Sequence, residues 1–188
     1  MHMTSTHLHA IKAAKTAATR AHRGQFRKDG KTPYITHPER VAKRVKFFGG
    51  NHIAIIAAWL HDVMEDCDGG EQIVKETLAQ LPLPQAEQGE IFAIVWALTK
   101  NPSAKDKKAK LADTLDRVNH APPQAVLVKL CDRMENLIDA KDQPAKFHAV
   151  YIPLTDMLID MLAENAVKHG YRNALETLKA EQRAFGRY

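Results

Sequence analysis

The sequence predicts a single all-α domain, and three observations carry that expectation. Helix start and stop signals recur along the whole chain, clear period-2 alternation is missing so that no hairpin is read into it, and no linker is long or polar enough to divide it. Residues 1–5 are set aside as disordered or cloning-derived, and the whole of 1–188 is read as one domain. A first helix is expected over 6–22, rich in Ala and Lys. Residues 24–36 read as a flexible basic loop around Gly30 and Pro33. A second helix should open at Pro38, where the missing N–H costs nothing, and stop at Gly49-Gly50. Asn51 can cap a third helix over 52–66, ended by Gly69-Gly70.

Further along, a short helix is expected over 71–80, and "LPLP" at 81–84 breaks it. Helices over 86–98 and 103–118 follow, the second read as surface-exposed because Lys dominates its start. Pro122-Pro123 opens a helix over 124–139. A long helix over 144–168 carries an internal Pro153, expected to kink it, and Gly170 separates it from a last helix over 171–185.

Composition narrows the function without naming it. The 188 residues suffice for a sizeable core, and 45% hydrophobic with 26% charged residues is ordinary for a globular protein. No apolar stretch has the length of a membrane span, and the N-terminus lacks the order of a secretory signal. Two cysteines, Cys67 and Cys131, make no disulfide framework, so a reducing, cytoplasmic location is expected. The net charge of +5 favours anionic partners, whether nucleic acid, a membrane surface or a phosphorylated small molecule. The Lys-rich stretch 105–110 is short and interrupted by Asp106, and reads as a solvated face or a pocket rim rather than a nucleic-acid interface.

The chemistry concentrates in three segments. In "AAWLHDVMEDC", residues 57–67, an apolar run ends in His61, Asp62, Glu65 and Asp66. On a helix, His61 and Glu65 share a face, as do Asp62 and Asp66, while His61 and Asp62 diverge by about 100° and can reach one cation between them. A His-plus-carboxylate set suits Mn, Fe, Zn or Ni better than Ca or Mg. The competing reading, a helix C-terminus with carboxylates in water, is disfavoured by the macrodipole. In "VLVKLCDRMENL", residues 126–137, Asp132 lies off an apolar helix face with Asn136 one turn on. A surface ion pair of Asp132 with Lys129 or Arg133 is the ordinary alternative. In "FRKDGKTPYITHPERV", residues 26–41, His37 precedes Pro38 where a cap or loop role is common, and Arg27, Lys28 and Lys31 surround Gly30, suiting either solvent or an anion.

Together, His37, His61-Asp62 and Asp132 in this order resemble the metal-dependent HD phosphohydrolase superfamily. The flanking text is narrower. "AHRGQFRKDGKTPYITHPERVA" (21–42), "LHDVMEDC" (60–67) and "VKLCDRMENL" (128–137) resemble the hydrolase domain of the RelA/SpoT family across residues 10–162, and the chain looks like a stand-alone small alarmone hydrolase. That resemblance implies an HD-domain helical bundle with a metal site between helices. It implies one Mn²⁺ per chain on His37, His61, Asp62 and Asp132, with Glu65 and Asp66 positioning or activating the attacking water. Arg27, Lys28, Lys129, Asn136 and Tyr151 fall on the substrate side. The implied reaction, tied to the stringent response, removes the 3′-pyrophosphate of (p)ppGpp to give GDP or GTP. Adenine alarmones, (p)ppApp, or another nucleotide such as NADPH are the alternative substrates, and a non-catalytic binding module ranks below all three. The expected partner is a small nucleotide, with no nucleic acid and no membrane; a homo-oligomer is not indicated. The chain departs from the family where Cys131 and Glu135 stand in place of Ala and His, Glu135 being read as either a specificity change or a solvent-facing one. The basic loop also carries an extra residue before "PY". Cys67 and Cys131, each beside a site residue, are read as packing thiols rather than a redox switch.

Overall fold

Thr4 starts the first helix, α1 (Ser5–Ala21), through a reciprocal cap. Its hydroxyl accepts from the His7 N–H, and the His7 ring accepts from the Thr4 N–H. The computed structural model describes residues 3–141 and 143–185. Met3 already packs against the core, so residues 3–5, set aside in the sequence reading, belong to the fold; residues 1–2 lie outside the described ones. Ala10, Ala14 and Ala18 recur every four residues and are fully buried, which lets α1 approach its neighbours closely.

The remaining helices are α2 (Thr36–Phe47), α3 (His52–Leu60), α4 (Val63–Asp66), α5 (Gly70–Ala79), α6 (Gln85–Leu98), α7 (Lys107–His120), α8 (Gln124–Ala140), α9 (Ala145–Lys168) and α10 (Arg172–Phe185). Every residue of α3 is buried, and α8 is buried along most of its length. A helix apolar all round belongs in the centre of a bundle. Accordingly α3 packs against α1, α2, α6 and α8, while α8 also meets α6, α7, α9 and α10. Asn51 caps α3 as expected, its side chain accepting from the Ala54 N–H at 3.0 Å.

Three departures from the sequence reading have local causes. The helix expected over 52–66 is interrupted at His61-Asp62, although both residues keep right-handed helical backbone and the Asp66 N–H still reaches the Asp62 carbonyl at 2.8 Å. The 24–36 loop is closed on itself: Phe26 and Pro33 form an antiparallel bridge, and Asp29 accepts from the Lys31 and Thr32 N–H groups at 2.9 Å. Gly30 takes a φ of +68° at that turn, where a side chain would be strained. The 103–118 segment, expected to be surface-exposed, starts as helix only at Lys107, capped by Asp106, and buries Leu111, Thr114, Leu115 and Val118. As expected, α9 is one long helix that carries Pro153 inside it. No described helix is long and apolar enough to cross a membrane.

Candidate active site

Three packed elements bring the HD residues together. His37 lies in the first turn of α2, His61 and Asp62 follow the end of α3, and Asp132 sits midway along α8. Ligand atoms of His37, His61 and Asp132 lie within 4.8 Å of one another, and all three residues are buried. Asp62 reaches both imidazoles, Oδ1 lying 3.2 Å from His61 Nε2 and Oδ2 3.6 Å from His37 Nε2. His37 Nε2 is 3.2 Å from Asp132 Oδ1, and His61 Nε2 is 3.7 Å from the same oxygen. All four residues named from the sequence therefore converge, and Asp132 is no surface ion pair.

The electrostatics of this cluster call for a positive charge. His61 Nδ1 donates to the Ala58 carbonyl at 2.8 Å, which turns Nε2 toward the carboxylates. That Nε2 is buried and makes no hydrogen bond among the described residues. A neutral ring would aim its lone pair at two carboxylates, so a positive charge must lie on the ring or between the groups. Burial alone would lower the His61 pKa; Asp62 and Asp132 outweigh it and raise it to about 9. Burial would raise Asp62, but His61 and His37 hold it below the usual carboxylate range. Burial would likewise raise Asp132, but Lys129 and the two histidines hold it well below. Two imidazoles and two carboxylates fit a divalent transition metal.

Lys129 and Asn136 both serve Asp132. The buried Lys129 Nζ lies 3.1 Å from Asp132 Oδ2, and Asn136 Nδ2 donates to Oδ1 at 2.5 Å. Lys129, expected on the substrate side, is thus paired with the Asp132 carboxylate. Arg27 donates to Asp139 Oδ2 from Nε at 2.9 Å and Nη2 at 2.5 Å, and Nη2 lies 3.4 Å from Asn136 Oδ1. Lys28 parts from Arg27: its exposed ammonium sits 4.8 Å from the centre of the Phe147 ring. Tyr151, half-buried, stacks on Phe147 and receives the Arg133 guanidinium 4.5 Å above its ring.

Glu65 and Asp66 separate. Glu65 accepts from the Lys100 N–H at 3.0 Å and pairs with the Lys100 ammonium. Asp66 instead accepts from the Tyr34 hydroxyl, which also bonds Asp62. Burial and the neighbouring Asp62 charge push the Asp66 pKa up. Sequence reasoning missed Tyr34, Lys100, Asp139 and Phe147. Tyr34 stood within the basic segment, three residues before His37, which is a signal of sorts; the others meet the site across long sequence separations that no local pattern encodes. Glu135 corrects another expectation. It is buried and paired with Arg40 at 3.0 Å and with Arg44, so it does not face solvent.

A model of the HD domain matches residues 13–155. The chain belongs to the HD domain family. An HD domain implies a divalent metal, and His37, His61 and Asp132 form a possible site for one here. The chain is 35% identical over 132 residues to the human guanosine-3′,5′-bis(diphosphate) 3′-pyrophosphohydrolase MESH1, covering 69% of this chain and 68% of that protein. It is 32% identical over 133 residues to the guanosine-3′,5′-bis(diphosphate) 3′-pyrophosphohydrolase of Aquifex aeolicus, covering 70% of this chain but only 18% of that longer protein. Among solved structures, one described as a metazoan ortholog of SpoT that hydrolyzes ppGpp superposes with a TM-score of 0.72 at 19% identity, over 97% of this chain and 98% of the other. That superposition supports the all-α HD fold.

Proposed function

We propose that this chain is a Mn²⁺-dependent alarmone pyrophosphohydrolase that removes the 3′-pyrophosphate of (p)ppGpp, giving GDP or GTP and pyrophosphate. The observation that carries the reading is the convergence of two buried histidines, the buried Asp132 and the half-buried Asp62, from α2, the end of α3 and α8, beside the Tyr34–Asp66 pair. Similarity to the human pyrophosphohydrolase over about two thirds of both chains supports the substrate.

His37, His61, Asp62 and Asp132 would hold the metal, with Lys129 and Asn136 orienting the Asp132 carboxylate. When bound, the metal lowers the pKa of water and steadies charge on phosphorus. Asp66, with a raised pKa and an accessible position, accepts the proton of the attacking water. Tyr34 stays neutral, because burial and the Asp62 and Asp66 charges oppose its ionisation, and it holds Asp66 in place. Glu65, steadied by Lys100, helps position the water. Arg27, held in line by Asp139, offers a guanidinium fork to a phosphate, and Phe147 with Tyr151 offers an aromatic face near Lys28.

The test incubates metal-stripped protein with ppGpp and with ppApp, each with and without Mn²⁺, and follows pyrophosphate and nucleotide products by anion exchange, beside an Asp62→Ala variant. Mn²⁺-dependent release of pyrophosphate, lost in the variant, is expected. No release from either alarmone by metal-loaded protein overturns the assignment.

A further inference from the structure

A second set of metal-ligating side chains lies at the other end of α3, roughly 13 Å from His61 by the helical rise. His7 in the first turn of α1, His52 opening α3 and Glu87 in the first turn of α6 each present one ligand atom, and these atoms lie within 4.8 Å of one another. His52 is buried, with Nε2 2.9 Å from Glu87 Oε2. The His7 ring stacks on His52, 3.7 Å between centroids and 5° between planes. A cavity of about 220 Å³ opens beside them, lined by Met3, His7, Lys46, Asn51 and His52 among others.

We propose that His7, His52 and Glu87 form a second divalent metal site, best suited to Zn²⁺, that clasps the starts of α1, α3 and α6. An ion pair joins His52 to Glu87, and His7, which caps Thr4 through Nδ1, brings its remaining ring nitrogen to the same place. Two imidazoles and one carboxylate make a three-ligand set with one position left for water, a common arrangement for Zn²⁺. Nitrogen donors also favour Zn²⁺, Ni²⁺ or Co²⁺ over Ca²⁺ and Mg²⁺. Three features oppose the cation, and the first is that the parallel His7 and His52 rings must turn before both can aim a lone pair at one ion. Three helix N-termini carry partial positive charge, and Lys46 borders the cavity. The Glu87 carboxylate offsets a full unit, whereas the dipole contribution is a fraction of one and fades within the first turn. His7 Nδ1 also accepts the Thr4 N–H, at a long 3.3 Å. Binding through His7 Nε2 shifts the ring proton and gives up only that weak bond. The site stands apart from the HD cluster and does not depend on the reaction proposed for it.

The experiment titrates Zn²⁺ into untagged, metal-stripped full-length protein by calorimetry and records Co²⁺ absorption spectra in parallel. The proteins are the wild type, His7→Ala and Glu87→Gln, with circular dichroism to confirm folding; His7 and Glu87 are only partly buried, and Glu87→Gln is isosteric. Two tight equivalents are expected for the wild type and one for each variant. In an Asp62→Asn background, Zn²⁺ should raise the thermal midpoint only while His7 and Glu87 are intact. A wild-type capacity of one equivalent, or survival of the second in either variant, overturns the proposal.

Discussion

The Tyr34 hydroxyl lies 2.6 Å from Asp66 Oδ2 and 2.9 Å from Asp62 Oδ2, so a single phenol joins two carboxylates. One hydroxyl hydrogen cannot be donated fully to both acceptors. Asp62 is held ionised by the two histidines, while Asp66 is pushed up by burial and by the Asp62 charge. Of the two carboxylates Asp66 is therefore the more basic, and the Tyr34 hydroxyl ties it to Asp62. That arrangement links a ligand carboxylate to the group best placed to take a proton from water.

Tyr34→Phe tests the link. The Tyr34 hydrogen bond lowers the Asp66 pKa against burial and Asp62, so its loss should raise that pKa further. A base with a raised pKa is protonated at higher pH. The acid limb of kcat/KM should move to higher pH, with kcat down on the order of tenfold, below the full effect of losing a general base. An unshifted acid limb separates Tyr34 from the proton transfer.

Removing the metal should abolish activity while leaving the fold intact. The HD residues are polar inserts at the edge of a core whose largest buried side chains include Ile56, Leu60, Leu127, Leu130 and Met134. Chelation is expected to reduce pyrophosphate release to background, with far-ultraviolet circular dichroism unchanged and Mn²⁺ restoring activity. Without metal, the cluster relies on His61 carrying a proton, which it keeps to about pH 9. The stability this gives is present below the ordinary histidine range and is lost as pH rises through 9. The thermal midpoint of stripped protein should accordingly fall between pH 7 and 10 more steeply than that of the metal-loaded protein.

Arg27→Ala should act mainly on substrate affinity. Its guanidinium is directed by Asp139 and touches Asn136, but it makes no direct contact with His37, His61, Asp62 or Asp132 among the described hydrogen bonds. Losing a charge-assisted phosphate contact should raise KM by about tenfold or more, with a smaller change in kcat. Arg27→Lys should recover only part, because an ammonium lacks the fork. Steady-state kinetics on the three proteins decide between this and a role in the chemical step, where kcat falls first.

Much of this site was legible because its signals are local. The Asn51 cap, the glycine stops and the prolines marked nearly every helix, and the order of His37, His61-Asp62 and Asp132 marked the donors. What stayed hidden needs tertiary packing. Lys100 reaches Glu65 across 35 residues, and Arg27 reaches Asp139 across 112. Lys28 and Arg27 are neighbours in sequence, yet the turn closed by Asp29 sends one toward Phe147 and the other toward Asp139. The interruption at His61-Asp62 was masked because the backbone there remains helical in its dihedrals.

The two thiols should be unreactive. Burial pushes Cys67 up to about 11, with Gln25 lowering it only in part, and burial pushes Cys131 far above its ordinary value. At pH 7 a thiol of that pKa is thiolate in about one molecule in 10⁴, and the thiolate is the nucleophile. Iodoacetamide at pH 7 should modify native protein far more slowly than protein unfolded in guanidinium. Rapid labelling of either cysteine in the native protein restores a redox role to consideration.

Glu135 should prove structural. Its carboxylate is buried between Arg40 and Arg44, and Arg44 Nη1 reaches Glu181 of α10 at 2.8 Å, so α2, α8 and α10 are joined through one charged cluster. Removing the central acid leaves two guanidinium groups facing each other with only Asp139 and Glu181 to pair them. Breaking a buried pair from one side costs about 3–5 kcal/mol, and the partial exposure of Arg40 and Arg44 places this case toward or below the lower end. Glu135→Ala is therefore expected to lose roughly 2–3 kcal/mol in urea unfolding. Glu135→His, which installs the residue found in the resembled family, should be destabilised too, because an imidazole cannot neutralise two arginines. If Glu135→Ala instead unfolds at the wild-type midpoint while altering the preference between ppGpp and ppApp, the specificity reading of this position stands.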